Sequence, residues 1–238
     1  MRGFDRPLQP EWVFKIIKLA KINEKLIDQK HDMELCIPEL QGDGNRKVRT
    51  IINRYFLVDD LKDKKIVSDS MILGLLKSLE YFDSKNAMLF IMLIQEPILK
   101  YYSELFEKYF TDVEKFNAAF LKKLAIEKMG ERDIAGRTLR NFLATLVSFD
   151  VLKQEGNDYS WNNKISFDDD TWAKLLVIYA QYGLHSPQVD LDHFDNPIFF
   201  YFNLPDFDLL AKKYSGEYWD YIKQANKSYL LLHREYVR

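Results

Sequence analysis

Cysteine occurs once in these 238 residues, at Cys36. No intrachain disulfide can form, and a lone thiol in a chain of this size fits a reducing compartment. The opening stretch, MRGFDRPLQPEW, has neither the apolar core nor the small-residue cleavage site of a secretory signal. A cytoplasmic location is expected. The most apolar run, Ala87–Leu99, is interrupted by Gln95, Glu96 and Pro97, well short of the roughly 18 to 20 apolar residues of a membrane span. No membrane association is expected, and the run predicts a buried helix.

Several kinds of chemistry also lack their residues. The four histidines (His31, His185, His193, His233) include no pair at i, i+4, and no second cysteine exists for a zinc finger. There is no Gly-x-Ser-x-Gly elbow, and GDGNRK at Gly42 lacks the spacing of a phosphate-binding Walker loop. PDFDLLAKKY at Pro205 resembles the start of a nuclease motif, but no downstream acid has a lysine two places later. Pro205 and Asp206 instead fit a helix start. The loop HSPQVDLDHFD gathers His185, Asp190, Asp192, His193 and Asp195, residue types that ligate divalent ions but that more commonly accept backbone amides. No catalytic residue, cofactor or bound metal is expected, and the chain is read as a non-enzyme.

What is present is ordinary globular material, 47% hydrophobic and 29% charged, enough to bury a core. Net charge is −2, but Ile165–Leu210 holds eight acids against Lys174 alone, a local −7 that leaves +5 elsewhere. A near-neutral total therefore accommodates a basic face. Apolar spacing predicts helices over Glu11–Asp28 and over RKVRTIINRYFLVDDL from Arg46, with GDGN before it as a turn. SDSMILGLLKSLEYF adds a helix capped by Ser68 or Asp69, SKNAMLFIMLIQ a central one ended or kinked by Pro97, and PILKYYSELFEKYF another.

From Val113 the grammar changes. VEKFNAAFLKKLAIEKM predicts a helix stopped at Gly130, and Asp133 opens a second with Leu139, Phe142, Leu143, Leu146 and Phe149 inward. VLKQE, a Gly-Asn-Asp turn and YSW then predict a β-hairpin. Helix, turn, helix and hairpin is the order of a winged helix-turn-helix. DDDTWAKLLVIYAQYG predicts a helix, the segment after it an irregular connection, and DFDLLAKKY and GEYWDYIKQAN two short helices. KSYLLLHREY fits either a helix end or a strand.

The fold class expected is mainly α. A helical bundle occupies 1–110, a winged-helix-like element with a short β-hairpin 111–183, and a helical, aromatic segment packed on the rest 184–238. Double-stranded DNA is the expected partner. Arg137, Arg140, Asn141 and Thr145 would face the groove, and Lys122, Lys123, Arg132, Arg46, Lys47 and Arg49 the phosphates. The alternative is a protein-protein scaffold whose winged element docks on a partner, with an exposed apolar patch at Phe199, Phe200, Tyr201 and Phe202.

This layout, a helical N-terminal half followed by RTLRNFLATLVSFDVLKQEGNDYSW, a helix and an aromatic tail, resembles the small BrxA-type proteins of BREX bacteriophage-exclusion systems. The likeness covers most of Glu11 to about Gly183. It implies a non-enzymatic, cytoplasmic, DNA-binding accessory protein of antiviral defence, working beside other proteins of its system.

Overall fold

The run Ala87–Leu93 is apolar on every face, and such a helix is stable only when other elements surround it. In the computed structural model it forms the middle of helix α5 (Tyr81–Gln95), fully buried over those residues. The structure describes residues 4, 6–59, 62–129, 133–192, 194–224 and 227–237, with backbone alone at 128–129 and 133–135. Helix accounts for 56% of the chain, and two small sheets complete it.

Around α5 pack α1 (Pro10–Leu19), α4 (Met71–Ser78), α6 (Pro97–Phe110) and α9 (Asp169–Ile178). Two π turns, Asn53–Leu57 and Tyr179–Leu184, touch it as well. The first continues α3 (Gly42–Ile52), which α2 (Lys30–Leu35) precedes. Pro97 both stops α5 and starts α6, because its ring tolerates only the first turn of a helix.

Beyond α6 come β1 (Lys115–Asn117), α7 (Ala118–Met129), α8 (Asp133–Ser148), β2 (Leu152–Glu155) and β3 (Asp158–Trp161). The three strands form an antiparallel sheet in the order β1-β3-β2, with Phe116 opposite Tyr159 and Lys153 opposite Ser160. Gly156, at φ 64°, makes the left-handed turn between β2 and β3 that a side chain would resist. The second antiparallel sheet, in the order β4-β6-β5, combines β4 (Gln188–Asp190), β5 (Trp219–Gln224) and β6 (Lys227–Leu232). Between β4 and β5 lie a 3₁₀ turn, Pro197–Tyr201, and α10 (Phe207–Lys213), capped by Asp206 as expected.

One aromatic cluster joins the parts. The Phe106 ring of α6 lies 5.6 Å from Phe116 of β1, 6.1 Å from Phe142 of α8, 5.3 Å from Trp161 of β3 and 6.4 Å from Tyr201 of the 3₁₀ turn. Offset and edge-on ring pairs of this kind add specificity to area burial. The buried side chains make one continuous core from Phe4 to Leu232, to which residues from all three expected segments contribute.

Several elements differ from expectation. The helix expected over Glu11–Asp28 ends at Leu19, since Gln29 Oε1 accepts from Lys21 N at 2.7 Å and Asn23 turns left-handed at φ 63°. Its second half instead runs through turns, tied to 65–67 by backbone hydrogen bonds and one antiparallel bridge, Lys25 to Ile66. The helix expected from Arg46 begins four residues earlier, at Gly42, with GDGN inside its first turn. The cap of α4 is Ser70, whose Oγ accepts from Leu73 N, while Ser68 Oγ accepts from Asp59 N. The single helix expected over Val113–Met129 is divided, because Phe116 enters the aromatic cluster as a strand residue and Asn117 Oδ1 caps α7 at Ala119 N. GEYWDYIKQAN holds a strand: Trp219 is buried and Asp220 exposed in pairing with β6. KSYLLLHREY is strand, then a 3₁₀ turn at Arg234–Tyr236.

Candidate nucleic-acid interface

Helix α8 is amphipathic, and its two sides do different things. Leu139, Phe142, Leu143, Leu146 and Phe149 point into the core as their spacing predicts. Arg137, Arg140 and Ala144, at i, i+3 and i+7, share one exposed arc. Arg140 has no ion-pair partner among the described residues. Where α7 meets α8, the Lys122 side chain runs past Gly136: a Cβ there would lie 3.4 Å from Lys122 Cε, an ordinary contact. Lys122 and Lys123 are exposed on α7, the latter 4.0 Å from Glu127. Arg132 lies outside the described residues.

The flank of that arc is occupied by the chain's own beginning, a feature the sequence reading missed. Asn141 Nδ2 donates to Phe4 O at 2.8 Å, Leu8 N donates to Thr145 Oγ1 at 3.0 Å, and Ser148 Oγ donates to Leu8 O at 2.7 Å. Phe4 and Leu8 are wholly buried. Residues 141, 145 and 148 thus form a polar seam that holds an extended segment lengthwise on α8. Thr145, at 1% exposure, and Asn141 were both expected in a groove. Both instead hold this N-terminal strap, Thr145 being out of reach of any partner and Asn141 engaged at its amide.

The hairpin beside α8 is small and its charges are largely matched. Lys115 Nζ lies 2.7 Å from Glu155 and Asn117 Nδ2 donates to Asp158 at 2.9 Å, both across the sheet. The hydrogen bond between them raises the Lys115 pKa and lowers that of Glu155. Lys153 remains exposed on β2 with no ion-pair partner among the described residues.

The second basic group expected on phosphates is differently placed. Arg46 and Lys47 both bind Asp43, at 2.5 and 2.8 Å, and their hydrogen bonds hold its carboxyl down to about 2. Arg49 is only 12% exposed, tied to Glu34 at 2.6 Å and to Asn45 at 2.7 Å. Arg46 and Lys47 keep exposed side chains while paired to Asp43, whereas Arg49 is held between α2 and α3 and is not open to phosphate. The aromatic patch offered for a partner protein is likewise interior: Phe199, Tyr201 and Phe202 are 5%, 2% and 1% exposed. Phe200 is partly buried, 4.9 Å from Trp161.

In the acidic loop, Asp190 Oδ1 accepts from Asp192 N and Asp192 Oδ2 from Ser228 N, while His193 lies outside the described residues. Among the described residues no cluster of three or more metal-ligating side chains is present, and no helix is long and apolar enough to cross a membrane. No protein family, curated protein or solved structure matches the chain.

Proposed function

We propose that the chain binds double-stranded DNA through a winged helix-turn-helix made of α6, β1, α7, α8 and the β2–β3 hairpin. The observation that carries this reading is the element order helix, strand, helix, helix, strand, strand, with the first strand pairing to the last, beside an α8 arc that bears Arg137 and Arg140. In that arrangement the second helix of the pair enters the major groove and presents its N-terminal half to base edges. Arg137 and Arg140 sit there, and their planar forks match guanine edges or phosphate oxygens. Ala144 completes the arc without bulk, which allows close approach and contact with a thymine methyl. Lys122 and Lys123 on α7 and Lys153 on the hairpin then serve the phosphates. The chain acts without catalysis, as an accessory protein of bacteriophage defence of the BrxA type, in keeping with the layout it resembles.

Fluorescence anisotropy with a random-sequence duplex across a salt series tests the reading. Wild type is expected to bind and to weaken steeply as salt rises, since each neutralised phosphate releases a counterion. The folded double variant R137E/R140E is expected to lose nearly all binding. Equal binding by both chains would remove α8 from the interface. A protein-docking role for the same element is the second reading, favoured by Tyr109 and Phe120, 39% and 47% exposed and in ring contact at 6.2 Å.

A further inference from the structure

A cavity of about 480 Å³ lies away from α7, α8 and the hairpin, between the α1–α2 connection, α2, α3 and the loop after the first π turn. Its lining includes Lys25, Lys30, Arg49, Lys64, Lys65 and Asp63, and of the cations Lys30 and Arg49 pair with Glu34. We infer that this cavity is a binding site for a phosphorylated small molecule of about nucleotide size.

The frame of the site is built rather than loose. Asn23 N donates to Val67 O at 2.9 Å, Leu26 N to Lys65 O at 2.8 Å and Val67 N to Glu24 O at 2.9 Å. Lys25 and Ile66 stand opposite each other in this antiparallel bridge. Gln29, 3% exposed, closes the connection by accepting from Lys21 N and donating to Lys21 O. The two segments that carry Lys25 and Lys65 are therefore held together by backbone hydrogen bonds, which limits the ordering a ligand would have to impose.

Part of this charge is matched and part is not. Asp63 Oδ1 already accepts from Lys65 N at 2.9 Å, and Glu34, beside the cavity, is shared between Arg49 at 2.6 Å and Lys30 at 3.8 Å. Lys25 and Lys65 have no carboxylate partner among the described residues. Like charges brought together in a concave site raise the local potential and attract an anion. Lysines act there as movable point charges suited to phosphate.

The rest of the lining is Asn53 and the apolar Leu26, Met33 and Ile66, with Ile27 68% exposed. A cationic mouth over an apolar floor suits a ligand with a phosphate group at one end and a flat or apolar body at the other. The volume falls within the roughly 300 to 1,000 Å³ range of small-molecule sites, and no residue of α7, α8 or the hairpin contributes to the lining.

Isothermal titration of the full chain in low salt with pyrophosphate, ATP and adenosine tests this. ATP is expected to bind, pyrophosphate more weakly, and adenosine not measurably. The variant K25E/K65E, whose altered residues are exposed and whose fold is checked by circular dichroism, is expected to bind ATP at least tenfold more weakly. R137E/R140E is expected to bind ATP like wild type, so the outcome is independent of the DNA reading. No heat with either ATP or pyrophosphate, or equal ATP affinity in K25E/K65E, would overturn the proposal. So would a duplex whose binding is lost in K25E/K65E but kept in R137E/R140E, because the cavity would then hold nucleic-acid phosphate.

Discussion

Thr145 and Arg140 are five residues apart on one helix, and only one of them is open to a partner. The Thr145 hydroxyl is the acceptor for the backbone N–H of Leu8, in the segment before α1, and it donates in turn to Asn141 O at 2.9 Å. Thr145→Val keeps the shape but leaves the Leu8 N–H buried without an acceptor, which costs about 1–3 kcal/mol. Urea denaturation measures that loss, and Thr145→Ser is expected to restore most of it. A loss near zero for the valine variant would mean that another group holds the strap. Arg140→Ala, on the exposed arc, is expected to stay within about 0.5 kcal/mol of wild type. The sequence distinguishes these residues poorly. Helical spacing separates the arc of Leu139, Phe142 and Leu146 from its opposite, but the polar residues at the border read as solvent-facing unless the segment lying on them is known. Asn141 and Thr145 read as groove-facing for that reason, and Arg49 reads as open because its partner Glu34 is fifteen residues away and across a turn.

Elements whose signals are local were legible, and those that depend on distant pairing were not. Asp168 illustrates the first kind: its carboxylate accepts from Thr171 N at 2.7 Å and caps α9, as the acidic start of that helix predicts. That backbone hydrogen bond, more than any other cause, holds the Asp168 pKa below its ordinary value. Because the folded value is lowered, the cap contributes fully above the ordinary carboxylate pKa of about 3.9 and is lost as pH falls through the folded value. Asp168→Ala is expected to cost about 1 kcal/mol at neutral pH, with the gap between variant and wild type narrowing below about pH 4. Denaturation midpoints at pH 7 and pH 3 test both parts, and a gap that widens in acid would contradict the assignment. Strands β1 and β5 illustrate the second kind. Each is short or mixed in pattern, and each becomes a strand through a partner, β3 or β6, whose identity no local window contains.

At the scale of the whole molecule, the Phe106 cluster makes stability a shared property. Its ring touches side chains from α6, β1, α8, β3 and the 3₁₀ turn, so the α7–α8 region and the aromatic tail rest on one another. Phe106→Ala is expected to cost about 3–5 kcal/mol, seen as one cooperative shift of the thermal transition by both near- and far-ultraviolet circular dichroism. Separate transitions by the two signals would show that the segments melt independently. The N-terminal strap carries a different consequence, one of timing. Phe4 and Leu8 meet partners 137 and 140 residues further along the chain. At a synthesis rate of about 5–20 residues per second, on the order of ten seconds pass before α8 leaves the ribosome. Closing so long a loop costs about 4 kcal/mol of chain entropy, so Phe4 and Leu8 cannot seat until α8 itself has been made.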